Sequence, residues 1–75
     1  MANLYRVQVF ARGEVISERT VKASDALTAI NRVEIGYGEP PQVEYKTVQH
    51  EDGRKELALV VSNWHGYTFV ARRLL

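Results

Sequence analysis

The chain has 75 residues, of which 45% are hydrophobic and 25% are charged; this is typical of a folded chain and allows one small domain, residues 1–75. It contains no cysteine, so neither disulfides nor thiolate metal sites can reinforce so small a core. The formal net charge of +1 gives no strong overall attraction to nucleic acid or to anionic membranes.

The first predicted elements are two strands that form a hairpin. Residues 4–12 alternate between apolar and polar side chains, which indicates a half-buried strand. Gly13 permits the positive φ of a tight turn, so residues 15–22 are expected to return antiparallel. The apolar side chains of this second strand change parity along its length, which predicts a bulge near residues 17–19.

A single helix is predicted over residues 24–34. Ser24 is expected to be its N-cap, because a serine hydroxyl can accept a hydrogen bond from a free amide of the first turn. Four apolar side chains at helical spacing form the expected buried stripe: Ala26, Leu27, Ile30 and Val33. The segment 36–41 contains two glycines and two prolines, which end the helix and force the chain to extend.

Three further strands are predicted, over residues 43–50, 55–62 and 67–75. An Asp52-Gly53 pair separates the first two and indicates a hairpin with a two-residue loop. That register places Val48 opposite Leu57.

The order of the predicted elements along the chain is ββαβββ. It predicts an α+β domain in which an antiparallel, four- to five-stranded sheet, flat or curled, packs against one short helix.

The sheet has more apolar surface than one helix can cover. The strand at residues 55–62 is apolar on both faces, as expected for a central strand. One face, expected to lie under the helix, carries Val43, Tyr45, Ala58 and Val60. The other face carries Val48, Leu57, Leu59, Val61 and Val70.

Three explanations of this second apolar face remain open. The sheet could close into a small barrel, pair with a second copy as a homodimer, or bind a different macromolecule. If it binds a protein, the candidate residues are Leu57, Leu59, Val61 and Val70, with the turn residues Trp64 and His65 as an anchor. The competing interpretation of Trp64 is a lid over the end of the core.

Residues 65–72 read His-Gly-Tyr-Thr-Phe-Val-Ala-Arg. This string partly resembles the first ribonucleoprotein motif of RNA-recognition domains. The resemblance implies that Tyr67 and Phe69 stack on bases. Local charge is a separate indication, because four arginines could line one edge and contact phosphates: Arg6, Arg12, Arg72 and Arg73. Solvated edge charges that discourage strand addition explain these arginines equally well. The competing expectation is that Tyr67 and Phe69 pack in the core against Val60 and Tyr45.

No residue pattern indicates catalysis, a cofactor, a metal site or a small-molecule ligand. His50 and its acidic neighbours Glu51 and Asp52 lie in a turn, and the sequence places no nucleophile beside them. The layout of a hairpin, a short helix and three strands resembles small adaptor, ribosome-associated and phage-encoded inhibitor proteins, anti-CRISPR proteins among them. That resemblance implies binding without catalysis.

The sequence therefore predicts a non-catalytic binding module, with protein–protein interaction as the leading function. The alternatives are binding of single-stranded RNA or DNA and a homodimeric structural role. No signal peptide pattern and no run of about 20 apolar residues is present, so the expected location is cytoplasmic, without a membrane partner.

Overall fold

The computed structural model of the chain describes residues 3–33, 38–49 and 51–74. These residues form five antiparallel strands and one helix: β1 (Asn3–Ala11), β2 (Glu14–Ala23), α1 (Ala26–Asn31), β3 (Val43–Gln49), β4 (Lys55–Trp64) and β5 (Tyr67–Leu74). All five strands belong to one sheet, in the order β2-β1-β5-β4-β3. The predicted α+β class and the order ββαβββ are confirmed. Within the described residues, no helix is long and apolar enough to cross a membrane.

The sheet is open, so closure into a barrel, one of the three explanations left open for the second apolar face, is wrong. Strands β2 and β3 lie at opposite ends of the sheet, and they do not pair with each other within the described part of the chain. The helix α1 packs on β1, β2 and β5 and supplies the second layer that closure would otherwise provide. The smallest dimension of the molecule, 20 Å, matches one sheet covered by one helix.

The β1–β2 hairpin has the tight turn that the sequence predicts. Arg12 and Gly13 have φ values of 53° and 80°, and two positive φ angles in a two-residue loop are typical of a type I′ turn. The predicted bulge is present, but it falls at Ile16, which is the extra residue where the register shifts. It therefore lies just before the predicted segment 17–19.

The helix is shorter than predicted and has a different cap. The Thr28 amide donates a hydrogen bond of 2.8 Å to Oδ1 of Asp25, so the N-cap is Asp25 and not Ser24. A helix that begins at Ala26 leaves Asp25 extended, with its carboxylate over the first turn. The helix ends at Asn31 and not at the predicted Glu34, which lies outside the described residues.

The core lies between α1 and one face of the sheet. Phe69 at its centre is 0% exposed, and in the sheet it lies between Val9 on β1 and Val61 on β4. The buried cluster consists of apolar residues from four strands, α1 and the adjoining turns: Tyr5, Val7, Val9, Ala23, Ala26, Ala29, Ile30, Val33, Leu59, Val61, Trp64, Phe69 and Ala71.

The β3–β4 hairpin has a longer loop than predicted, and this changes which side chains share a face. The last pair is Gln49 with Lys55, and Val48 lies opposite Glu56, one residue away from the predicted Leu57. Asp52 instead accepts a hydrogen bond of 3.0 Å from the Arg54 amide within the loop. Because a shift of one residue exchanges the faces of a strand, Val48 moves away from the face of the buried core. The predicted strand ends at positions 50 and 75 lie outside the described residues.

Candidate functional site

The helix leaves one end of its own sheet face uncovered. Strand β3 and the start of β4 lie beyond α1, and three large apolar side chains there are exposed: Tyr45 by 64%, Leu57 by 61% and Val43 by 43%. Tyr45 lies opposite the buried Leu59, so this surface continues the core outward to the edge of the sheet. We call Val43, Tyr45 and Leu57 the β3 patch. An exposed apolar patch at a sheet edge is typical of an interaction surface.

The backbone of β3 has a free edge beside this patch. The Ser62 amide donates to the Gln42 carbonyl at 3.1 Å, and these two residues continue the β3–β4 register. In an antiparallel pair, hydrogen-bonded positions alternate with non-bonded ones. The backbone groups at positions 44, 46 and 48 therefore point to β4, and those of Val43, Tyr45 and Thr47 point outward. Within the described residues, no strand pairs with that side of β3.

Two of the three patch residues, Val43 and Tyr45, thus also have backbone groups that point outward. At the edge, Val43 and Tyr45 each present an amide and a carbonyl with which no strand of the described residues pairs, and each has an apolar side chain on the helix side. A strand added to this edge would form hydrogen bonds and bury apolar area with the same positions. Sequence reasoning missed these two residues as site candidates, because the predicted register placed them beneath the helix.

The opposite, helix-free face of the sheet is lined with ion pairs. Arg6 lies opposite Arg72 across β1 and β5, and each of these cations has an acidic neighbour. Three pairs are described: Arg6–Glu18 (Nε–Oε1 3.6 Å), Arg72–Glu56 (Nε–Oε1 2.8 Å) and Lys46–Glu44 (Nζ–Oε1 3.5 Å). Ala58 is buried on this face, between the stems of Arg72 and Lys46. The charges on this face therefore largely neutralise one another.

Three of the six predicted protein-binding residues are buried: Leu59, Val61 and Trp64. Leu59 and Val61 are buried in the same core cluster as the apolar side chains of α1, so the face that was expected to be uncovered is the face of the core. Val70 is half-buried on the helix-free face, opposite Val60, and so lies apart from them. Of the four predicted sheet-face residues, only Leu57 is an exposed part of the β3 patch.

Trp64 is a lid over the core and not an exposed anchor. It is 2% exposed, and its ring packs edge-on against Phe69 with a centroid distance of 5.4 Å. Asn63 has a φ of 57° and lies where the β4–β5 register shifts, and this bulge turns the Trp64 side chain to the helix side. His65 is exposed in the following turn and stacks on Trp64 with a centroid distance of 6.0 Å.

The structure divides the predicted nucleic-acid residues between the two faces of the sheet and the β1–β2 turn. Phe69 is buried and Tyr67 is half-buried beside it on the helix side, so Phe69 cannot stack on a base without opening the core. Arg6 and Arg72 lie on the helix-free face. The other two arginines are also apart: Arg12 is in the β1–β2 turn, and Arg73 donates to Asn3 at 3.1 Å. Phe69 belongs to the core and the half-buried Tyr67 packs against it, but the expected partners are wrong. Phe69 lies beside Val61 and not Val60, and Tyr45 is exposed.

Among the described residues, no three histidine or acidic side chains come together in a group that could hold a metal ion. Comparisons of the chain with protein-family models, with curated proteins and with solved structures find no match. The site must therefore be interpreted from its own geometry.

Proposed function

We propose that this protein is a small, non-catalytic binding module that binds another protein chain by strand addition at the free edge of β3. The observation that carries the proposal is that Val43 and Tyr45 combine outward backbone groups with exposed apolar side chains. In strand addition, backbone hydrogen bonds provide affinity and alternate side chains provide specificity. A chain without cysteine needs no oxidising compartment to fold, which is compatible with the cytoplasmic location that we propose.

The charge distribution favours a protein partner over a nucleic acid. The β3 patch is apolar, and the arginines of the helix-free face are paired with acids, as in Arg6–Glu18 and Arg72–Glu56. Nucleic-acid binding depends steeply on salt because it releases counterions from phosphates. Binding at the β3 patch should depend only weakly on salt, since it rests on apolar burial and backbone hydrogen bonds.

The experiment that tests the proposal begins with a photo-crosslinking amino acid at position 45, which labels any protein bound at the edge. The labelled protein is then purified and its affinity for the chain is measured by calorimetry. We expect Leu57→Asp to raise Kd roughly ten- to a hundredfold, the effect of losing about 1–3 kcal/mol at an interface residue.

Leu4→Asp is the matched control. Leu4 is also exposed, but it lies on β1, which β5 and β4 separate from β3. We expect Leu4→Asp to bind like the wild-type chain. An equal loss in both variants, or no loss in Leu57→Asp, would contradict the assignment of the β3 patch. A Kd that rises steeply with salt would favour nucleic acid instead.

A further inference from the structure

We infer that the strand added to β3 is β3 of a second copy of this chain, in a two-fold symmetric, antiparallel dimer whose axis passes beside Tyr45. The inference rests on the proposed strand addition and names its partner. It is carried by the backbone pattern, the charges and the apolar side chains of β3, which all agree on this one register.

The backbone groups at the edge match in this register. An axis beside Tyr45 places Tyr45 opposite its own copy and Val43 opposite Thr47 of the second copy. These are the residues whose amides and carbonyls point outward, and each such pair exchanges two hydrogen bonds. The two five-stranded sheets then join into one continuous sheet.

The charges of β3 are complementary in the same register. Glu44 lies opposite Lys46 of the second copy, and by symmetry Lys46 lies opposite Glu44. These are non-hydrogen-bonded positions, where the Cα atoms approach to roughly 4.5 Å and side chains meet most closely. Within one chain, the same two side chains already pair at 3.5 Å along the strand, so each charge gains a second opposite neighbour.

Neighbouring registers lack this complementarity. An axis beside Glu44 places the two glutamates opposite each other, and an axis beside Lys46 does the same with the two lysines. Like charges directly opposite destabilise a strand pair. An axis beside Val43 or Thr47 gives neither charge an opposite partner and shortens the overlap. Charge therefore selects the axis beside Tyr45.

The apolar side chains complete the match. The two Tyr45 rings become a cross-strand aromatic pair, which is a favourable pairing in antiparallel sheets. Val43 lies beside Thr47 of the second copy, whose other neighbour is Leu57 of that copy. The β3 patches of the two chains thus form one surface that extends the cores of both.

The other edge of the sheet is less suited to pairing. Strand β2 has a bulge at Ile16 and carries four charged residues: Glu14, Glu18, Arg19 and Lys22. Bulges and charges are the devices that protect an edge from strand addition. The register of β3 with β4 is continuous, so β3 offers a regular edge.

The test is the mass of the purified chain by sedimentation equilibrium, from micromolar to millimolar concentration. We expect the wild-type mass to rise from 8.5 kDa towards twice that value. Glu44→Lys and Lys46→Glu each place like charges opposite one another, so we expect each variant alone to have a dimer Kd at least tenfold higher.

An equimolar mixture of these two variants is the decisive sample. The lysine introduced at position 44 of one chain then faces the glutamate introduced at position 46 of the other, and the two unchanged positions also carry opposite charges. We expect the mixture to dimerise like the wild-type chain. Restored association in the mixture would also show that both variants are folded.

A backbone variant provides a second arm. Thr47→Pro removes an outward amide while leaving the β3–β4 hydrogen bonds in place, since proline is tolerated at a sheet edge where its nitrogen faces solvent. We expect Thr47→Pro to be monomeric and the matched control Thr47→Val to dimerise.

The outcomes separate this inference from the proposed function. A wild-type chain that stays monomeric at millimolar concentration, or a charge-variant mixture that stays monomeric, overturns the dimer. If such a monomer still binds a different protein through Leu57, the proposed function stands. If the dimer follows the charge rules but Leu57→Asp leaves it unchanged, the role of the patch is wrong and the edge pairing stands.

Discussion

At the scale of single residues, Trp64 shows how a polar-looking turn can bury its largest side chain. Trp64 is the only tryptophan of the chain and packs against Phe69. We expect its fluorescence to be blue-shifted and weakly quenched by iodide in the folded chain, and red-shifted and strongly quenched in urea, because burial shields the indole from water. Strong quenching in the native state would contradict its role as a lid.

Asp25 connects helix capping to pH. The hydrogen bond from the Thr28 amide is the largest cause that holds the pKa of Asp25 below its ordinary value of 3.8. A lowered pKa in the folded state means that ionised Asp25 stabilises the fold above pH 3.8, and that this contribution is lost as pH falls through the lowered pKa.

We therefore expect Asp25→Ala to lower the melting temperature at neutral pH and to reduce the loss of stability on acidification. Asp25→Asn is the matched control, since its amide oxygen still caps the helix but does not titrate. Thermal unfolding from pH 7 to pH 2 measures both effects. If Asp25→Asn melts with the same acid dependence as the wild-type chain, the capping carboxylate is not the titrating group.

At the scale of elements, the β1–β2 turn contains a residue in an unfavourable conformation. Arg12 has a φ of 53°, a conformation that residues other than glycine, asparagine and aspartate adopt at a cost. Asparagine before glycine is the preferred pair in a type I′ turn. We expect Arg12→Asn to stabilise the fold by about 0.5–1 kcal/mol in urea unfolding, and Arg12→Val to destabilise it. The opposite order would mean that the hairpin has another turn type in solution.

The sequence predicts the elements themselves well, because local patterns determine them. Alternation of apolar residues defines the strands, and glycines mark the tight turns at positions 13 and 66. Registers are less accessible, since they depend on tertiary packing. The Asp52-Gly53 pair indicates a two-residue loop, but Asp52 bonds the Arg54 amide instead, and the longer loop moves β3 by one residue. The bulge at Asn63 likewise has no clear sequence signal.

At the scale of the whole molecule, the extent of the buried core decides which leucines of β4 are exposed. The binding face could not be predicted from alternation alone, because Leu57 and Leu59 have the same parity. Burial distinguishes them: Leu59 is buried in the core and Leu57 is exposed. The sequence therefore indicates an apolar face without showing where its cover ends.

These two leucines give a matched pair of variants. Leu59→Asp buries a carboxylate without a partner, and we expect it to lose more than about 3 kcal/mol of unfolding free energy, enough to unfold a small domain. Leu57→Asp should remain folded within about 1 kcal/mol of the wild-type chain, since the site is exposed. Urea unfolding followed by circular dichroism measures both. Similar losses in the two variants would mean that both positions are buried.

Amide exchange along β3 reports both the fold of the monomer and its assembly. In the monomer, the amides of Glu44 and Lys46 donate to β4 and should exchange slowly, and those of Tyr45 and Thr47 face solvent and should exchange fast. In a dimer joined through β3, the outward amides gain partners. We therefore expect protection at Tyr45 and Thr47 to rise with protein concentration in exchange measured by NMR.

The charge variant Lys46→Glu provides the reference for this measurement, because it should keep the fold while preventing the pairing of two β3 strands. Its inward amides should remain protected at every concentration, and its outward amides should remain unprotected. Slow exchange at Tyr45 in the dilute variant would show that the alternation on β3 is assigned the wrong way round. Fast exchange at Tyr45 in the concentrated wild-type chain would show that the edge stays open. In the monomer β3 is an edge strand, so protection along it should alternate. In the dimer β3 lies in the middle of one joined sheet, so protection should become continuous. Only this change with concentration agrees with pairing through β3.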